Sequence, residues 1–272
     1  MFVRDLQIIN GITQPRNTCG HASGVATSNS PKRLPGLLRD RIKVNVQSAF
    51  RMNEALRRAW TEIVTPDDYE EHMARIGQAQ AGADLTRHLL ETASPPPGAH
   101  IVFAGAGTGK MLDFLNVSLL QPFRLVFTDL NARFLDRLKR RLAKLELRAE
   151  VIEDDFENTA LKPGPDLLIA TLLLENIDWR RGIETTSALR PPACGIIIQE
   201  NPPEMTSAIT PGRVLPPSMA EAADHAHPVL VPCDELVPAM AKHDYRQIDT
   251  SSRGVADGKR LISLLFERKL NS

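Results

Sequence analysis

The sequence is poor in cysteine, in net charge and in long apolar runs. Its three cysteines, Cys19, Cys194 and Cys233, are far apart and match no disulfide or metal spacing, so we expect unpaired thiols in a reducing, cytoplasmic setting. The 33 basic and 33 acidic residues cancel, which argues against nucleic acid or an anionic membrane as partner and favours small neutral ones. The longest apolar run, 167–174, is too short to cross a bilayer, and the N-terminus lacks a signal pattern.

What is present predicts one main domain with an N-terminal extension. The 272 residues are 42% hydrophobic, enough for a large core. We expect residues 1–35 to be disordered, 36–98 to form a helical cap and 99–272 to form the main domain. A proline-rich stretch, 94–98, marks the boundary, and a second one makes 201–233 an insertion that roofs the binding site.

Two amphipathic helices are predicted before the boundary. The apolar face of the first consists of Val46, Phe50, Leu56 and Trp60. The second begins at a Thr65 cap followed by proline, and its apolar face consists of Tyr69, Met73 and Ile76. Gly77 or Gly82 bends or splits it.

A glycine-rich turn follows the first apolar strand of the main domain. Residues 101–104 are apolar, and Gly105, Gly107 and Gly109 then alternate before a predicted helix at 110–120. Such a turn lets the backbone approach a ligand, and a helix that begins there offers free N–H groups. The turn is not a Walker loop, because Met111 follows Lys110, and it lacks the third glycine of a dinucleotide fingerprint, where Lys110 stands. Asp129, at the end of the next strand, can accept two hydrogen bonds from ribose hydroxyls.

From about residue 99 onward these features resemble the class I, Rossmann-like S-adenosylmethionine-dependent methyltransferases. Asp155 and Phe156 resemble the family's acid and hydrophobe at the adenine, and 165–172 resembles its fourth strand. The resemblance implies S-adenosyl-L-methionine as cofactor. The contacts that it implies are Ala104, Gly105, Gly107, Gly109, Asp129, Leu130, Asp155, Phe156, Thr171 and Leu172. The chain departs from the family at Phe103, where an acid is usual. Taken alone, Asp155 also reads as a helix cap.

Strand and helix patterns alternate after residue 99. The predicted strands are 100–104, 124–128, 149–153, 166–172, 194–199, 245–250 and 260–267, and the further helices are 131–146, 179–189 and 234–243. The fold class is therefore α/β, a doubly wound, mostly parallel seven-stranded sheet with a C-terminal antiparallel hairpin, plus N-terminal helices. A terminal hairpin favours the methyltransferase assignment over a reductase.

Two acidic residues follow the fourth and fifth strands, where ligands bind in such sheets. Glu175 and Glu200 are therefore the predicted catalytic bases for a methyl transfer. The alternative is that Glu175 caps the next helix and Glu200 is solvated. The predicted function is methyl transfer to an oxygen or nitrogen of a small molecule. An NAD(P)-dependent reductase and a non-catalytic cofactor-binding protein remain open as alternatives.

Other motifs carry less weight. Asn201-Pro202-Pro203 ends in Glu204 rather than an aromatic residue, and the basic face at 137–144 reads as a solvated helix surface, so no nucleic acid is expected. His225 and His227, with Cys233 nearby, would suit a metal or a histidine base, but a loop His-x-His lacks fixed geometry and no metal is expected. The oligomeric state and the acceptor are left open.

Overall fold

The computed structural model describes residues 54–210, 212–225 and 227–269. The segment expected to be disordered, 1–35, and the start of the first predicted helix lie outside these residues. The chain is helical at 54–58 and continues into a π-helical turn, Ala59–Ile63. The helices that follow are α1 (Pro66–Arg75), α2 (Gln78–Ala93), α3 (Ala132–Lys144), α4 (Trp179–Leu189), α5 (Pro217–His225) and α6 (Cys233–Lys242).

The strands form one seven-stranded sheet in the order β3-β2-β1-β4-β5-β7-β6. They are β1 (His100–Ala104), β2 (Arg124–Asp129), β3 (Glu150–Glu153), β4 (Leu167–Thr171), β5 (Ala193–Glu200), β6 (Tyr245–Gly254) and β7 (Arg260–Arg268). Strands β1 to β5 pair in parallel, and β7 pairs antiparallel with both β5 and β6. The predicted fold class is therefore confirmed.

Both faces of the sheet are buried, so the central strands are apolar throughout. On β1, Ile101 and Phe103 pack into the core formed with α2 and α3. The intervening Val102 and Ala104 pack on the opposite face with α4 and α6. Within the described residues, no helix combines the length and apolarity that a bilayer span requires.

The helix predicted at 110–120 is wrong. The structure has two short 3-10 turns there, Lys110–Asp113 and Val117–Leu119. They are separated because Asn116 is extended and its Oδ1 accepts the backbone N–H of Ser118 at 3.2 Å, a local bond that competes with helix formation. The expected N-terminus of a long helix, with its dipole, is therefore missing beside the glycine turn.

The predicted cap, 36–98, is not separate from the sheet in its described part. Gly77, with φ of +75°, splits the second predicted helix into α1 and α2, and α2 then packs against the sheet. The contact is close, because a Cβ on Gly195 of β5 would lie only 2.7 Å from Leu89 Cδ1. The boundary placed at residue 98 therefore does not divide the core.

Candidate functional site

A cavity of about 240 Å³ lies along the carboxyl ends of the strands. In a parallel sheet these ends meet at one edge, which is where ligands of open α/β folds bind. The floor is lined by residues that follow the strands: Gly105, Gly107, Asp129, Leu130, Asp155, Phe156, Thr171, Leu172, Glu175 and Gln199. The cover comes from the π-helical turn, α1, α5 and the chain before α5, and includes Trp60, Tyr69, His72, Ile209, Arg213 and Met219.

The glycine turn is present, but its three glycines differ in role. All three have positive φ, at +66°, +57° and +68° for Gly105, Gly107 and Gly109. Gly105 and Gly107 line the cavity. Gly109 does not, because it faces α3, where an added Cβ would lie 2.4 Å from Leu138 Cδ1. Ala104 lines only a smaller neighbouring cavity of about 40 Å³. Packing against α3 therefore requires a residue without a side chain at Gly109.

Asp129 accepts a hydrogen bond from the backbone of the glycine turn. Its Oδ2 accepts the backbone N–H of Gly107 at 2.8 Å, and its Oδ1 accepts that of Asn131 at 2.9 Å. Burial raises the pKa of this carboxyl, and the backbone N–H groups oppose the rise. A carboxylate oxygen has capacity for more than one bond, so this side chain can hold the turn and still accept ribose hydroxyls.

Asp155 is both a cap and a cavity residue. Its Oδ1 accepts the N–H of Glu157 at 3.2 Å, which begins a 3-10 turn at Phe156, and its Oδ2 pairs with Arg57. Both Asp155 and the buried Phe156 line the cavity. The alternative interpretation of Asp155 as a cap is thus correct, and it is compatible with a ligand contact.

The end of β4 has an unusual backbone. Leu172 has φ of +52°, a conformation that a branched side chain rarely adopts. Its N–H donates to Ile197 O at 2.8 Å, and its carbonyl accepts from Asn176 Nδ2 at 2.7 Å. The adjacent Thr171 Oγ1 is buried with no hydrogen-bond partner among the described residues, although Thr171 lines the cavity. Strained backbone and an unpaired hydroxyl are typical of a functional site.

Glu175 lies on a 3-10 turn after β4 and is buried, with 3% of its surface exposed. Its Oε1 accepts the backbone N–H of Gln199 at 2.7 Å, whereas its Oε2 is buried without a partner in the described chain. Burial raises the pKa of Glu175 to about 7, against the opposing effect of the Gln199 N–H. The capping alternative is wrong, because Asp178 caps α4 through its bond to Arg180 N at 3.0 Å.

Glu200 and the loop histidines lie elsewhere. Glu200 forms an ion pair with Arg260 on the surface. It is not among the described residues that line the cavity. The alternative, that Glu200 is a solvated residue, therefore describes it better than the role of a base. His225 and His227 do not line it either. Among the described residues, no group of three or more His, Cys, Asp or Glu side chains is placed to hold a metal ion. Of the two predicted bases, Glu175 lines the cavity and Glu200 does not.

The cover and the β6–β7 connection contribute polar residues to the cavity that no sequence pattern predicted. They are His72, Gln78, Arg213, Asp257 and Lys259. His72 Nδ1 is buried and has no partner among the described residues. Burial, with smaller effects of Arg213, Arg75 and Lys259, lowers the pKa of His72. The only sequence feature that pointed to this part of the site was the predicted apolar face formed by Tyr69, Met73 and Ile76 on α1. All three residues line the cavity.

Comparison with known proteins gives the fold but no family. No protein-family model matches the chain. No curated protein matches it either. The solved structures that match include magnesium protoporphyrin IX methyltransferase from Synechocystis PCC 6803 with bound SAH, at 12% identity and a TM-score of 0.57 over 84% of this chain and 100% of that one.

Two further matches show the range of proteins with this fold. Geranyl diphosphate C-methyltransferase from Streptomyces coelicolor A3(2), in complex with Mg²⁺, geranyl diphosphate and S-adenosyl-L-homocysteine, is 12% identical with a TM-score of 0.53, over 69% of this chain and 79% of that one. The cyclase SpnF is 11% identical with a TM-score of 0.53, over 70% of this chain and 81% of that one. The chain thus shares its fold with methyltransferases, and its chemistry must be argued from its own residues.

Proposed function

We propose that the chain binds S-adenosyl-L-methionine and transfers its methyl group to an oxygen or nitrogen of a small molecule. The proposal rests on one observation. Gly105, Gly107 and Asp129 line the same cavity, at the corner where β1 and β2 end. A side-chain-free turn beside a buried carboxylate suits a ribose diol and the sulfur side of the cofactor. The adenine then lies toward Asp155 and Phe156, at the end of β3.

The amino-acid end of the cofactor must be held without an acid on β1. Phe103 is 2% exposed and stacks on Phe127 in the core, with ring centroids 4.7 Å apart, so it offers no polar contact. Thr171, whose hydroxyl has no partner among the described residues, and Tyr69 both line the main cavity, and both also line the smaller one beside Gly105. The Tyr69 hydroxyl is 3.2 Å from the position of a Cβ on Gly107. We assign these two hydroxyl groups to the methionine part.

Glu175 is the proposed base. When bound, the cofactor supplies a sulfonium methyl, and transfer is an in-line displacement that needs an aligned nucleophile. The unpaired Oε2 of Glu175 lies in the cavity wall after β4, and the carboxyl titrates near neutrality. In its ionised form it can take the proton from an attacking hydroxyl or amine. The cover over the cavity excludes water from the transfer.

Calorimetric titration of the full chain with S-adenosylmethionine, S-adenosylhomocysteine and NADH tests this proposal. We expect saturable binding of both adenosyl ligands and no binding of NADH. Binding of NADH alone would instead support a reductase. Incubation with labelled S-adenosylmethionine and a metabolite extract then distinguishes an enzyme, which labels a small molecule, from a protein that only binds the cofactor.

A further inference from the structure

The cavity extends past the proposed cofactor corner toward the antiparallel end of the sheet. In the order β3-β2-β1-β4-β5-β7-β6, the assigned adenosine contacts follow β2 and β3, whereas Gln199 ends β5 and Lys259 directly precedes β7. Both of the latter line the cavity. The part of the cavity farther from the adenosine, at β5 and β7, is thus available for the methyl acceptor.

Lys259 places an ammonium group in this part of the cavity; burial lowers the pKa of this group, and the nearby Asp257 carboxylate opposes that effect. The residue is only 7% exposed, and its Nζ donates to Ala208 O at 2.7 Å. It forms no ion pair with any carboxylate of the described residues. An ammonium group has three donors, so one carbonyl leaves two of them free. A buried charge is costly unless it is paired, so an anionic ligand at Lys259 would reduce this cost.

The other charges nearby do not supply that anion. The carboxylate of Asp257 is occupied by Arg213, which donates from Nε at 2.9 Å and from Nη2 at 2.5 Å. Asp257 Oδ2 also accepts from Thr210 Oγ1 at 2.5 Å. Arg213 and Asp257 therefore neutralise each other. Neither form of the His72 imidazole carries a negative charge, and burial raises the pKa of Glu175 to about 7, which favours its neutral form. This end of the cavity has a net positive charge.

The backbone holds Lys259 in place before any ligand binds. Ala256 N donates to Ile76 O at 3.1 Å, which ties the β6–β7 connection to the end of α1, and Val255 N donates to Lys259 O at 2.9 Å. The surrounding wall is apolar. It includes Ile76, Ile209, Leu215, Met219, Ala222 and Val255. A fixed cation in an apolar wall suits a ligand with one charged group on an apolar body.

We propose that the methyl acceptor carries one anionic group, a carboxylate or a phosphate, on a mainly apolar body, and that Lys259 Nζ binds this group. The inference rests on the proposed function, because it takes the β1–β2 corner as the cofactor site. It assigns Lys259 to acceptor recognition.

Ligand-observed NMR on the full chain saturated with S-adenosylhomocysteine tests this assignment. The probes are benzoate, phenyl phosphate and the neutral benzamide, which share one ring and differ in charge. We expect one of the two anions to bind at least about tenfold more tightly than benzamide. The anion that binds more tightly identifies the group as carboxylate or phosphate.

Substitution of Lys259 provides the second part of the test. Lys259→Met should remove the preference for the anion, and Lys259→Arg should retain it. Lys259→Gln, whose amide can still donate to Ala208 O, serves if Lys259→Met does not fold. The matched control is Lys139→Met, because Lys139 is exposed on α3 and forms an ion pair with Asp136 at 3.7 Å. This control should leave the preference unchanged.

The inference and the proposed function fail in different ways. Wild-type protein that does not bind S-adenosylhomocysteine contradicts the proposed function before any probe is added. Normal binding of S-adenosylhomocysteine with equal binding of benzoate, phenyl phosphate and benzamide overturns the inference alone. A Lys259→Met variant that keeps the anion preference also overturns it. A Lys259→Met variant whose main defect is weaker binding of S-adenosylhomocysteine overturns the inference as well, because that result would assign Lys259 to the cofactor's carboxylate.

Discussion

Asp129 links the proposed cofactor site to the backbone of the glycine turn. Its two oxygens accept N–H groups from Gly107 and Asn131, so any ribose contact is added to existing bonds. Asp129→Asn replaces one acceptor with a donor that faces a backbone N–H. We predict at least tenfold weaker binding of S-adenosylhomocysteine by calorimetry, since bonds to a charged group contribute about 1.5 to 3 kcal/mol.

The matched control for this change is Asp136→Asn, which alters an exposed aspartate on α3. It should bind S-adenosylhomocysteine as the wild type does. Unchanged affinity of a folded Asp129→Asn variant would remove the ribose assignment.

Glu175 makes stability depend on pH. Its pKa is raised by burial from 4.5 to about 7, so between these values the folded protein holds a proton that the unfolded chain has released. The stabilisation is complete below about pH 4.5 and is lost as the pH rises toward 7. Relative to Glu175→Gln, we predict that the free energy of unfolding falls across this window by up to about 3 kcal/mol.

Denaturant unfolding at several pH values measures this difference. Glu200→Gln is the control, because Glu200 is partly exposed and paired with Arg260. Its difference from the wild type should stay constant over the same window. A constant difference for Glu175→Gln as well would show that Glu175 does not titrate there.

The place of a site residue could be predicted from the sequence when the residue lies beside the end of a strand. It could not be predicted when the fold brings distant segments together. Asp129 and Glu175 follow apolar strands, so their place at the sheet edge could be inferred. His72 and Lys259 are 187 positions apart and meet the same cavity only because the β6–β7 connection contacts α1. Nothing local in the sequence encodes that contact.

At the scale of elements, the glycine turn depends on an ionic network instead of a long helix. Arg141 of α3 donates to Thr108 O, to Glu70 of α1 at 3.0 Å and to Asp113 at 2.8 Å. Its side chain is only 10% exposed. Arg141 therefore joins the turn, α1 and the 3-10 turn at Lys110–Asp113, and it acts as a positioning residue.

Arg141→Met should loosen the turn. We predict a loss of about 1 to 3 kcal/mol in the free energy of unfolding and weaker binding of S-adenosylhomocysteine, because three acceptors lose their donor. Arg140→Met is the control, since Arg140 is the exposed neighbour on the same helix. Loss of stability with unchanged ligand affinity would show that the network serves the fold alone.

The elements were predictable where periodicity was long and capped. Helix α4 begins and ends where it was expected, because Asp178 caps it and the apolar spacing is regular. Residues 110–120 have apolar residues at similar spacing, and Leu112, Leu115 and Leu120 are indeed buried. Asn116 interrupts the helix through its own backbone contact, and periodicity alone does not reveal such a competitor.

For the molecule as a whole, the order of predicted strands and helices was enough to predict the fold. The composition was not enough to predict the charge within the cavity. Strands that alternate with helices admit few arrangements, since crossover connections are right-handed. The neutral total of 33 basic and 33 acidic residues favoured a neutral partner, yet Lys259, which forms no ion pair with the described residues, lines the cavity. A sum over the chain does not describe the charge within one cavity.

Ligand binding should stabilise the whole fold, because α1, α2, α5 and five strands meet at the cavity. At about a hundredfold excess over Kd, S-adenosylhomocysteine should add about 2.7 kcal/mol. For a domain of this size, this corresponds to a rise in Tm of about 5 to 10 °C in a calorimetric scan. Adenosine alone should have a smaller effect, and an unchanged Tm at saturating ligand would show that the ligand does not bind the folded state.

A crystal structure of the chain with S-adenosylhomocysteine would show where the adenosine binds. We expect the ribose hydroxyls to lie within hydrogen-bond distance of the Asp129 carboxylate, beside Gly105 and Gly107. Adenosine bound elsewhere, or this corner still closed in the complex, would contradict this expectation.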